Sequence, residues 1–131
     1  MKEHVSVYLI GNDIQVDVRM KVVTRIYISK KLNSHAAEGI ILGDTSMRLL
    51  DYLLDHAEKG IVNYGDVLHE VWDLHGLVSS YKRLGQVIKE LKEKLKTVGI
   101  SDDAISNVRG QGYRLNFPQV TRLYRETVNA K

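Results

Sequence analysis

Five histidines, sixteen carboxylates and a Gly-x-Gly triplet are the groups with which this 131-residue chain could do chemistry. A zinc peptidase sets two histidines one helical turn apart. His69 and His75 stand six positions apart, about 240° around a helix, and cannot share a ligand face. His4, His35 and His56 are isolated in the sequence, and the chain has no cysteine to supply a thiolate ligand or a disulfide. Asp102-Asp103 has no partner base near it, and none of the hydroxyls sits in a nucleophile elbow. Gly110-Gln111-Gly112 follows a strand pattern and opens no helix, so the nucleotide-binding fingerprint fails. These patterns argue against an enzyme. No cofactor, metal ion or small-molecule substrate is expected.

The distribution of charge is more informative. The formal net charge is only +3. Between Asp44 and Asp73, however, seven acids face two bases, whereas between Val78 and Val98 six bases face two acids. Residues 104–131 add five bases against Glu126. A chain whose later half is basic suits a polyanion partner. Charge alone fits a solvated lysine-rich helix face equally well.

The elements that must carry these cations follow from periodicity. A single domain suits the length. Val5, Val7 and Leu9 alternate, Gly11-Asn12-Asp13 turns the chain, and Ile14, Val16 and Val18 alternate again. With Val22 to Ser29 and Glu38 to Leu42 they predict a four-stranded antiparallel sheet within residues 1–43. The period then becomes helical and predicts three helices within 44–99. The first carries Met47, Leu50, Leu53, Leu54 and Ala57, with Asp44 or Thr45 as cap and Gly60 at the exit. The second is capped by Asn63 and turns Val67, Leu68, Val71 and Trp72 to one face. The third starts at Ser79 or Ser80, carries the stripe Leu84, Val87, Ile88, Leu91, Leu95 and Val98, and stops at Gly99. Ile105–Arg109 and Tyr113–Phe117 then form a hairpin over 104–117, turned by Gly110-Gln111-Gly112. The domain so drawn spans 1–118 and leaves 119–131 as a basic tail.

The fold class expected is α+β, a winged helix-turn-helix. In that arrangement the second helix of the pair occupies the major groove. On a helical wheel the apolar stripe of the third helix lies within about 60° of Leu84, and Lys82, Gln86, Lys89, Glu93 and Lys96 lie opposite. Arg83 and Gln86 have the geometry to pair with guanine and adenine, and Glu90 can accept from cytosine. The hairpin presents Asn107, Arg109 and Gln111. An arginine on a thin hairpin suits a narrow minor groove, where negative potential is concentrated.

The hairpin Asn107-Val108-Arg109-Gly110-Gln111-Gly112-Tyr113-Arg114-Leu115 resembles the T-V-R-G-x-G-Y-R-[LF] wing of OmpR/PhoB-type DNA-binding domains. Val67-Leu68-His69-Glu70-Val71-Trp72 resembles that family's second helix, and Ile88-Lys89-Glu90-Leu91-Lys92-Glu93-Lys94-Leu95 its recognition helix. The three motifs occur in order and at fitting spacing over residues 44–117. The resemblance implies base or phosphate contacts from Lys82, Arg83, Gln86, Lys89 and Glu90, a backbone contact at Trp72 and a wing contact at Arg109. It implies structural roles for Val108 and Tyr113. Asp73 stands where the family usually has glycine, and Glu90 and Glu93 lie on a helix that is usually arginine-rich.

The expected function is sequence-specific binding of double-stranded promoter DNA in bacterial transcriptional regulation. A homodimer on repeated half-sites, a second regulator and RNA polymerase are the partners such a domain implies. The N-terminus has no signal-peptide pattern and the chain has no apolar run long enough to span a membrane. The expected location is cytoplasmic, either stand-alone or as the cytoplasmic part of an inner-membrane-anchored, ToxR-like regulator. A sheet that begins almost at Met1 favours the ToxR-like arrangement. The competing function is a protein-interaction module on the same fold, for which Glu90 and Glu93 speak.

Overall fold

The computed structural model describes residues 4–31 and 33–125. Its first layer is an antiparallel sheet of β1 (His4–Ile10), β2 (Ile14–Asp17), β3 (Val22–Ser29), β4 (Ser34–Ile41) and a strand from the end of the chain. Tyr8, Val16 and Val23 are in register on neighbouring strands and buried on one face. Leu9, Gln15 and Thr24 form the next row and point the other way. The alternation read from the sequence is therefore the alternation of a sheet covered on one side.

Three helices share a core with that side: α1 (Asp44–Asp55), α2 (Tyr64–Val71) and α3 (Tyr81–Thr97). Leu49, Leu50, Leu53 and Leu54 of α1 join Val67 and Val71 of α2 and Leu84, Leu91 and Leu95 of α3 in one buried cluster. Each such side chain contributes about 1.5–3 kcal/mol by leaving water. The α2 cap is the expected one: Asn63 Oδ1 accepts from the Asp66 amide at 2.8 Å. Ser80 Oγ caps α3 by accepting from the Arg83 amide at 3.0 Å. For α1 the expected Asp44 or Thr45 is not the cap. Gly43 holds that place without a side-chain bond, and the Asp44 carboxylate instead meets Lys21 Nζ at 2.7 Å.

A second sheet has the order β5-β7-β6, made of β5 (Ile61–Asn63), β6 (Ile105–Val108) and β7 (Gly112–Leu115). The hairpin turns at Arg109-Gly110-Gln111, with Gly110 at φ +78. Only glycine takes that conformation without steric cost.

Two features differ from the sequence reading. The sheet has five strands, because β8 (Val120–Arg125) pairs antiparallel with β1, from Ile10 opposite Val120 to His4 opposite Arg125. Half of the expected tail is thus part of the fold; residues 126–131 lie outside the described residues. The physical reason is the edge of β1, whose amides and carbonyls need partners. Val120 packs on the core, and Arg122 donates to Asp55 and Glu58 at the end of α1. The second difference is β5, three residues long, which places α2 against the hairpin.

Candidate nucleic-acid interface

The burial of Leu84, Val87, Ile88, Leu91 and Leu95 fixes the rotation of α3. It leaves Lys82, Arg83, Gln86, Lys89 and Glu90 exposed together on the outer side. Asn107, Arg109 and Gln111 are exposed on the hairpin. The expected reading residues are therefore brought to two adjacent projections, the outer face of α3 and the tip of the wing. Trp72 is the exception. It is 3% exposed and belongs to the core at the end of α2.

Not every cation of the basic later half is free. Lys94 Nζ donates to the Ile41 carbonyl at 3.2 Å, Lys96 pairs with Asp102 at 3.3 Å, and Arg122 is held by Asp55 and Glu58. Among the described residues, Lys82, Arg83, Lys89 and Arg109 make no ion pair. These four cations are exposed on the two neighbouring projections. No three His, Asp or Glu side chains among the described residues gather where a metal ion could sit. No helix among them is long and apolar enough to cross a membrane.

Tyr64, which sequence reasoning passed over, joins the projections. Its ring meets Tyr81 of α3 edge-on at 5.8 Å and Tyr113 of β7 edge-on at 5.3 Å. Its hydroxyl donates to Asn107 Oδ1 and lies 3.3 Å from the Val108 carbonyl. Burial, followed by the neighbouring Tyr64, pushes the Tyr113 hydroxyl up to about 12. The signal available in the sequence was an aromatic directly after each cap, Asn63 and Ser80, at positions that the apolar stripes do not need. Tyr64, Tyr81, Gly85, Ile88, Asn107 and Tyr113 enclose a cleft of about 440 Å³ between α3 and the wing.

Three helices with a glycine-turned hairpin beside the last of them define a winged helix-turn-helix domain. Residues 37–115 match the family described as "Transcriptional regulatory protein, C terminal". The chain belongs to this family, the OmpR/PhoB-type C-terminal DNA-binding domain expected from the wing and helix motifs. Among solved structures it is similar to the DNA-binding domain of E. coli CadC, with a TM-score of 0.70 and 19% identity. That match covers 93% of this chain and 100% of the CadC domain. At this identity the likeness speaks for the fold, including the sheet placed before the helices. No curated protein sequence matches the chain. The family and fold are those of DNA-binding transcription regulators.

Proposed function

We propose that the chain binds double-stranded promoter DNA sequence-specifically, with α3 in the major groove and the hairpin in the adjacent minor groove. The observation that carries this reading is the set of unpaired cations Lys82, Arg83, Lys89 and Arg109 on the two projections. Lys82 and Lys89 neutralise phosphates, Arg83 and Gln86 read base edges, and Arg109 enters the minor groove with Asn107 and Gln111 at its rim. Glu90 discriminates by accepting from cytosine and repelling misplaced phosphate. Buried Trp72 acts by holding the end of α2 in place. The domain works in the cytoplasm, free or tethered, and pairs on repeated half-sites. A second regulator or RNA polymerase is its protein partner.

The test is fluorescence anisotropy against fragments of the source genome over a salt series, with wild type and a Lys82→Ala/Arg83→Ala/Arg109→Ala variant. Wild type is expected to bind tightly and to weaken steeply with salt. The variant is expected to lose specific binding and to show a salt slope shallower by about 0.9, for the one phosphate contact removed at Lys82. Binding that is flat with salt and unchanged in the variant would overturn the reading in favour of a protein-interaction module.

A further inference from the structure

We infer that the cleft between α3 and the wing seats the sugar–phosphate strand that separates the two grooves, with Gly85 as its floor and the Tyr81 hydroxyl as a phosphate ligand. This rests on the groove assignment above and adds to it residues that the assignment does not use. A helix in the major groove and a hairpin in the neighbouring minor groove necessarily straddle one strand. The surface between them must therefore fit a phosphodiester.

The cleft has the shape and chemistry for it. Beside the hollow of about 440 Å³ lies a second of about 470 Å³, and both are lined by Gly85 and Ile88. The first is walled by tyrosine rings, and the second by Lys89, Lys92 and Lys96 with the carboxylates Glu93 and Asp102, the latter already paired with Lys96 at 3.3 Å. Gly85, Lys89, Lys92 and Lys96 recur at helical spacing along one side of α3. Aromatic walls suited to a deoxyribose thus stand beside Lys89 and Lys92, the two lysines of this side that no carboxylate among the described residues holds and that suit its phosphates. The Tyr64 hydroxyl donates to Asn107 Oδ1, which leaves the Asn107 amide nitrogen free to donate outward. Tyr81 is 67% exposed and its hydroxyl has no hydrogen-bond partner among the described residues.

Gly85 is the strongest sign of an outside occupant. Glycine is the poorest helix former after proline, and this one lies well inside a seventeen-residue helix. Its backbone does not require it, since its φ is not positive. Packing does not require it either, because a Cβ added there would meet nothing within 4 Å. The fold would accept alanine at this position. What a side chain would block is the floor of the cleft.

The experiment compares Gly85→Ala, Gly85→Leu and Tyr81→Phe with wild type on the DNA fragment that wild type selects, with melting curves alongside. Gly85→Ala is expected to melt a few degrees above wild type. It should nevertheless bind specific and non-specific DNA alike more weakly, since a strand contact carries no sequence information. Gly85→Leu should lose about a hundredfold and Tyr81→Phe about fivefold. The salt slope of Tyr81→Phe should be unchanged, because a neutral hydroxyl releases no counterion. A methylphosphonate placed at the crossing phosphate should weaken wild type more than Tyr81→Phe. If Gly85→Leu binds like wild type while the Lys82/Arg83/Arg109 variant does not, the cleft assignment is overturned and the groove assignment stands. If folded wild type binds no DNA, both fall.

Discussion

Gly112 lies in the middle strand of the wing sheet, opposite Asn63 of β5 and Val108 of β6. A Cβ built on it would stand 2.7 Å from Asn63 Cα and 2.8 Å from the Val62 carbonyl carbon, and closer still to the Val62 oxygen. All three obstacles are backbone, so no side chain can swing aside. Gly112→Ala must therefore push β5 away from β7. Overpacking of this kind costs about 1–3 kcal/mol. The displaced strand also strains the 3.0 Å bond from the Tyr64 amide to the Gln111 carbonyl and the Asn63 cap of α2, each worth about 1 kcal/mol. A loss near 3 kcal/mol lowers Tm by about 10 °C in a domain of this size. Gly110→Ala is the control. It sits at φ +78 with nothing within 4 Å of an added Cβ, so only the left-handed backbone is penalised, by about 1–2 kcal/mol. Thermal melts by circular dichroism should rank wild type first, then Gly110→Ala, then Gly112→Ala. Amide exchange should quicken in β5 of the last variant. A Gly112→Ala protein that melts with or above Gly110→Ala would refute the reasoning.

Asp51 accepts from the Tyr8 hydroxyl at 2.7 Å across the α1–sheet boundary, and burial first of all holds its carboxyl above the usual carboxylate range. A raised folded value means that the folded state keeps the proton longer, so this group's contribution to stability falls as pH rises from about 4 through its folded value. Asp51→Asn keeps the acceptor and removes the charge. It is expected to gain stability at pH 7 and to lose that advantage below about pH 4, as measured by denaturant unfolding at a series of pH values. Arg122, 19% exposed in its side chain, donates to Asp55 Oδ1 at 3.4 Å, Glu58 Oε1 at 3.3 Å and the Asp55 carbonyl at 2.6 Å. Arg122→Ala should cost about 1–3 kcal/mol and leave DNA affinity unchanged, which melts and anisotropy together will show. An unchanged melt would mean that β8 is not held through this side chain.

The helices and the hairpin were legible because each is specified locally. Asn63 and Ser80 are caps with a helical stripe behind them, and Gly110 carries the one turn conformation that a hairpin of this kind needs. The two missed strands lack such signals. Ile61–Asn63 is too short to show a period, and it exists because Gly112 lets its backbone come close. Val120–Arg125 alternates, but its arginines read as a charged tail until Asp55 and Glu58 are seen to meet Arg122. For the same reason the basic end of the chain overstated the cations available to a partner. Arg122 neutralises acids of the domain's own first half. The outward set on α3 followed from the wheel alone, since the stripe that packs determines the side that does not. Tyr64 and Tyr81 were not legible, because their value lies in meeting each other across elements 17 residues apart in sequence.

That meeting bears on how binding energy is used. A wing on a free hairpin would have to be ordered when DNA binds, at the expense of affinity. Here the hairpin is fixed to the helices from several sides. The Tyr64 amide donates to Gln111, the Leu115 amide to Gly60 at 2.6 Å and the Asn116 amide to Ala104 at 2.8 Å. The Tyr64 ring wedges against both α3 and β7. The separation of the two projections is thus set by β5 and the first residue of α2. On the proposed reading, DNA would meet two projections whose spacing is fixed before binding, so little of the contact energy would go into ordering the wing.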